Sequence, residues 1–139
     1  MNIDSIENGI VIDHIQAGKS MEIYHYLGLE NLDCAVAIIK NVKSKKTERK
    51  DIIKIDNDIN VDTDMLGYLD TNITVNIIKD GKIIEKKHME LPEQLINVVK
   101  CNNPRCITSI EREIDQVFNL TDKENKVYRC KYCEMEAKK

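Results

Sequence analysis

The strongest constraint in this sequence lies in its last third. Four of the five cysteines fall there in two pairs, Cys101-Asn-Asn-Pro-Arg-Cys106 and Cys130-Lys-Tyr-Cys133, separated by 23 residues. Four thiolates close a tetrahedral shell around one zinc ion. Short spacers let a single turn present two sulfurs, and the gap is long enough for an antiparallel hairpin. One such pair would be a weak signal; two at these spacings are a strong one. The alternative is a set of free or disulfide-bonded thiols, and nothing else in the chain points to secretion. A redox pair of the thioredoxin kind needs a βαβ context, whereas Cys130 and Cys133 follow a hairpin pattern. The zinc is expected to be structural. Four cysteines fill the shell, while a catalytic zinc keeps a position open for water or substrate.

The hydrophobic fraction of 42% against 32% charged places the chain among globular proteins rather than disordered ones. With no Trp and a single Phe, Phe118, the core must be built from Ile, Val and Leu. The formal net charge is −3, and a zinc ion with four thiolates adds about −2 more. Nucleic acid is therefore not the expected partner. The opening MNIDSIENG is polar and acidic and does not read as a signal peptide. No apolar run approaches membrane-spanning length. Cytoplasmic residence without membrane contact is the expectation. The fifth cysteine, Cys34, is expected as a buried thiol in a strand.

Along the chain, residues 10–15 read as a strand and 16–28 as a helix, with Ala17, Met21, Tyr24 and Leu27 on one face and Gly28 as the stop. Residues 34–42 read as a buried strand, 43–50 as a solvated charged loop and 52–55 as a strand. A second helix is expected over 61–70, with Val61, Met65, Leu66 and Leu69 inward and Asn60 as a possible cap. Residues 72–78 and 82–87 flank Lys79-Asp80-Gly81, a strong hairpin cue. The order strand, helix, strand, strand, helix, strand, plus a hairpin strand, predicts an α+β fold: a ferredoxin-like antiparallel sheet with two helices. Leu91-Pro92 breaks the pattern. The expected domains are therefore 1–92 and a small zinc-ribbon-like β domain, 93–139, with short strands over 116–120 and 126–129. That second unit has too few apolar residues to fold without metal.

Other motifs are weaker. Ala17-Gly18-Lys19-Ser20 resembles the end of a phosphate-binding loop, but Asp13 stands where that loop needs a glycine. Asp13-His14 could be half of an acid–base pair, although no nucleophile is placed to complete one. Lys54 and Lys86, each within a strand, are either solvated or held for an anion. Asn76 could read a base edge or sit on a wet face.

Taken together, Gly9-x-Val11-Ile12-Asp13-His14-Ile15, Arg49-Lys50-Asp51-x-Ile53-Lys54-Ile55, Thr74-Val75-Asn76, Leu91-Pro92 and the four-cysteine tail resemble the regulatory chain of aspartate carbamoyltransferase, over almost the whole sequence. The resemblance implies a chain that is not an enzyme. Its N-terminal domain would bind ATP and CTP at one site and pair with a second copy. Its zinc domain would hold the catalytic chain of pyrimidine synthesis and link catalytic trimers. By position, Asp13 and His14 would contact the nucleotide, Lys54 its ribose and phosphate end, and Lys86 the triphosphate. Asn76 and Ile78 would line the pocket, while Ile3, Asp4 and Ile6 would lie across the base. Cys101, Cys106, Cys130 and Cys133 would hold the Zn2+. Gly81 stands where relatives carry a large residue over the ribose. It motivates a second reading: a zinc-dependent structural adaptor for the catalytic chains with a degenerate nucleotide site.

Overall fold

The computed structural model describes residues 6–43 and 48–137. The candidate residues Ile3 and Asp4 lie outside that range. The chain divides into two compact units, Met1–Met89 and Glu90–Lys139.

In the first unit the elements run β1 (Gly9–Gln16), α1 (Ser20–Tyr26), β2 (Val36–Lys43), β3 (Arg49–Ile55), α2 (Thr63–Leu69), β4 (Thr74–Lys79) and β5 (Lys82–His88). The strands form one sheet in the order β2-β3-β1-β4-β5, every neighbour antiparallel. The first four strands and two helices are the expected ferredoxin-like arrangement, and β5 extends it by a hairpin. Asp80 (φ 53°) and Gly81 (φ 76°) both take left-handed conformations, which suits the twist of a two-residue turn. Alternation along the strands sends Ile10, Ile12, Ile53, Ile55 and Val75 to one face, where they pack with Ile23, Leu29, Leu66 and Ile73. Burying each such side chain contributes about 1.5–3 kcal/mol.

Several local expectations are corrected. β1 runs on to Gln16, and a turn precedes α1. Gly18 adopts φ 93°, and the N–H groups of Gly18 and Ser20 are accepted by the Asp51 carboxylate, at 3.1 and 3.2 Å. The helix therefore starts late and presents Ser20 and Ile23 to the core, with Tyr24 and Leu27 partly buried and Met21 exposed. It ends at Tyr26, capped by Leu27 and followed by the expected stop, Gly28, at φ 65°. In α2 the cap is Asp62, whose carboxylate accepts the Met65 N–H at 3.1 Å, not Asn60. Cys34 precedes β2 and is only half-buried. Arg49 and Lys50 belong to β3, not to the charged loop.

The second unit contains β6 (Gln94–Ile96), α3 (Ile107–Ile110), β7 (Val117–Asp122) and β8 (Val127–Cys130), with sheet order β6-β7-β8. β6 is a strand the apolar pattern did not mark. Leu95, Phe118 and Tyr128 are buried together with Cys106 and Cys130. The Tyr128 hydroxyl donates to the Pro92 carbonyl. Among the described residues, no helix is long and apolar enough to cross a membrane.

Candidate metal centre and nucleotide face

The four paired cysteines converge. Their sulfurs all lie within 4.8 Å of one another. Cys101 and Cys133 are 3.4 Å apart, and Cys106 and Cys130 are 3.7 Å apart. A zinc–sulfur bond of about 2.3 Å gives a tetrahedron with edges of about 3.8 Å, so this cluster fits one zinc ion. A disulfide needs about 2.05 Å. Burial, reinforced by the other three thiols, pushes the Cys101 thiol up to about 12. Burial also acts on Cys133, but the Met135 backbone N–H, the Asn103 side chain and the Cys101 and Cys130 thiols outweigh it and bring the group to about 6. Four packed thiols cannot all ionise side by side without a counter-charge, and a dication supplies it by replacing the protons.

Neighbouring groups hold the sulfurs in place. The Thr108 hydroxyl lies 3.1 Å from the Cys106 sulfur. Gln116 spans the first pair: its Oε1 accepts the Cys101 N–H at 3.0 Å, and its Nε2 donates to the Thr108 carbonyl at 3.4 Å. In the second pair the Cys130 carbonyl accepts the Glu134 N–H, and the Cys130 N–H reaches the Met135 carbonyl, each at 2.9 Å. When bound, zinc cross-links the two turns; with four sulfurs around it, no position is left for substrate.

The first unit has a second feature on the sheet face away from the helices. Strand register pairs Lys54 with Val11, Val11 with Asn76, and Asn76 with Lys86. Directly opposed residues share a face, so these four form one row across β3, β1, β4 and β5. The row spans three strand spacings, about 14 Å, the scale of a nucleoside triphosphate. Asn76 is buried, and its Oδ1 has no protein partner. Parallel rows carry Asp13 opposite Thr74, and Gly9 opposite Ile78 opposite Ile83. The His14 Nδ1 lies 3.0 Å from the Thr74 hydroxyl. Ile6 packs over Gly9, where a Cβ would collide with it and with the Ile55 carbonyl. The face therefore gathers Ile6, Asp13, His14, Lys54, Asn76, Ile78 and Lys86.

Sequence reasoning missed Lys50, read as solvated loop. Its Nζ lies 2.8 Å from the Asp13 carboxylate, with both side chains about four-fifths buried. Counting alternation back from Lys54 would have placed it on this face. Val11, Thr74 and Ile83 were likewise missed, because only the pairing shows what they adjoin. The rejected phosphate loop is also explained: two of its N–H groups are already taken by Asp51.

A ferredoxin-like unit is followed by a β unit whose four converging cysteines suit a structural metal. Residues 1–90 match the family model described as aspartate carbamoyltransferase regulatory chain, allosteric domain, and residues 93–139 match the model for its metal binding domain. The chain belongs to the aspartate carbamoyltransferase regulatory chain family. It is 54% identical over 134 residues to the regulatory chain of Clostridium botulinum strain Hall, covering 96% of this chain and 92% of the relative. It is 53% identical over 135 residues to that of Clostridium tetani, covering 96% and 94%. It is 45% identical over 138 residues to that of Bifidobacterium longum, covering 99% of both chains. It is thus a regulatory chain with an allosteric domain and a metal-binding domain.

Proposed function

We propose that this chain senses ATP and CTP on the open face of its N-terminal domain, residues 1–92. The carrying observation is the in-register row Lys54–Val11–Asn76–Lys86. Two ammonium groups flank an apolar residue and a buried amide whose oxygen awaits a donor. A triphosphate is held by such point charges, and a base by an apolar slot with a few polar groups. Asp13, His14, Ile78 and Ile6 complete the face, and Ile3 and Asp4 are assigned to it by resemblance. The zinc domain, residues 93–139, docks the catalytic chain and so links catalytic trimers. Its exposed Ile107 and Ile110, just after the first cysteine pair, and Tyr132 and Met135, within and just after the second, supply apolar surface for that contact. The N-terminal domain pairs with a second copy. For the nucleotides to regulate, they must favour one quaternary state over another, since equal affinity for both shifts nothing.

Calorimetric titration of the zinc-loaded chain with CTP and ATP tests this, repeated on Lys54→Ala with Lys86→Ala. Binding by the wild type that disappears in the double variant is expected. Absence of binding with and without the catalytic chain, and unchanged carbamoyl-aspartate production, would sink the sensor reading. The adaptor reading draws on Gly81, which puts no side chain over the face and whose Cβ direction is open. It expects tight assembly with the catalytic chain and a flat response to both nucleotides.

A further inference from the structure

We propose that Asp51 is a positioning residue for the nucleotide face and ties that face to the edge strand β2. The ligand named here rests on the nucleotide reading above; the geometry does not. Asp51 is fully buried on β3, where an ionised carboxylate persists only if donors surround it. Its Oδ2 accepts the N–H groups of Gly18 and Ser20, and its Oδ1 accepts that of Asn41 at 2.8 Å. Burial pushes the carboxyl up, but the Ser20 hydroxyl and these backbone N–H groups outweigh it and hold the group below its usual value.

The sheet slips by one residue on both sides of Asp51. β1 bulges between Ile12 and Ile15, and β2 between Ile39 and Val42. His14 and Asn41 lie within these slips at φ 86° and 61°, a left-handed region that non-glycine residues avoid. In a regular strand, consecutive residues point to opposite faces. The β1 bulge breaks that rule and brings both Asp13 and His14 to the open face. There Asp13 meets Lys50, and His14 meets Thr74. Bulges that redirect side chains in this way recur beside functional sites.

Asp51 holds the β2 slip directly and stands where β1 pairing resumes after its own slip, opposite Ile15. It anchors the turn that ends β1 through Gly18 and Ser20. It also takes the N–H of Asn41, whose carbonyl accepts from Arg49 at 3.0 Å. One carboxylate thus links the residues that face a nucleotide to the backbone of an edge strand, where further pairing would occur. Coupling of this kind is reciprocal: what orders one side orders the other.

The test uses the zinc-loaded full chain, Asp51→Asn, and the control Ile53→Val on the same strand. Three quantities are read: the His14 ring resonance without nucleotide, amide exchange across Val36–Lys43, and CTP affinity. In Asp51→Asn the His14 resonance moves and exchange at Asn41 speeds up. CTP binds about tenfold or more weakly, as when supporting partners of a ligand-binding residue are removed. Ile53→Val leaves all three in place. A folded Asp51→Asn with wild-type His14 resonance and Asn41 exchange overturns the proposal. Unchanged CTP affinity with those two altered overturns the link to the nucleotide face. Arg49→Ala, at an exposed position, guards against an Asp51 variant that does not fold. It loosens the same β2 bulge, and a His14 resonance that stays put in it overturns the coupling. If the wild type binds no nucleotide, the sensor reading falls, while the resonance and exchange data still judge Asp51.

Discussion

Asp13 and Lys50 form an ion pair, 2.8 Å from carboxylate oxygen to ammonium nitrogen, on the open face of the N-terminal sheet. The pair places a further cation beside the row of Lys54, Asn76 and Lys86. Because both groups are about four-fifths buried and the variant leaves the Asp13 carboxylate unpaired, Lys50→Ala is expected to cost about 1–3 kcal/mol of stability. CTP affinity is expected to fall about tenfold, since a triphosphate loses a nearby ammonium and meets an unpaired Asp13. Urea unfolding and calorimetry separate the two effects. A large stability loss with unchanged affinity would make the pair structural.

Removing zinc should unfold the C-terminal domain selectively. Its core is small, and a structural zinc site contributes about 10–16 kcal/mol of binding free energy to folding. One zinc per chain is expected by colorimetric assay after thiol modification. Chelation should abolish NMR dispersion for residues of β7 and β8 while the first unit keeps its own. Cys133→Ser should give the same result. Retained dispersion after complete metal loss would show that the domain folds without zinc.

Gln116 offers a subtler perturbation of the same site. Its side chain joins the Cys101 N–H to the Thr108 carbonyl, so Gln116→Ala leaves four sulfurs but loosens the first pair. Zinc affinity measured by competition with a chelator should drop about 10–100-fold. An affinity equal to wild type would show that the ion alone organises that turn.

The buried carboxylate of Asp51 predicts a pH effect with a definite sign. Its folded value lies below the ordinary one. Its stabilisation is therefore present above the unfolded value of about 3.9 and is lost as pH falls through the folded value. Asp51→Asn should be less stable by about 1–3 kcal/mol at pH 7, with the gap to wild type closing below about pH 4. Thermal unfolding across pH 3–7 would show this, and a gap independent of pH would contradict it.

Gly9→Ala should destabilise the first unit although Gly9 sits in a regular strand. A Cβ there would collide with the Ile55 carbonyl and with the Ile6 side chain. Relief requires backbone shifts, typically about 1–3 kcal/mol. A thermal midpoint within error of wild type would show that β1 and β3 can separate without cost.

Much of this protein is legible in the residues alone. Metal ligation is a property of cysteine chemistry and local spacing, so Cys101, Cys106, Cys130 and Cys133 identify the centre before any fold is known. The Asp80-Gly81 turn is likewise local, because only certain residues tolerate left-handed backbone. Alternating Ile and Val marked the strands, and their order with two helices marked the ferredoxin-like class.

The tertiary structure decided what depends on pairing between distant segments. Nothing in the local pattern says that Val11 lies between Lys54 and Asn76, since register is set across strands. Nor does it say that Lys50 reaches Asp13. Two bulges displaced the alternation at His14 and Asn41, and Asp51 delayed the start of α1, turning Ser20 and Ile23 inward in place of Met21. A buried carboxylate must collect donors wherever the chain supplies them, and here they come from residues 18, 20 and 41. Periodicity reads one segment at a time, whereas that requirement is met only when three of them come together.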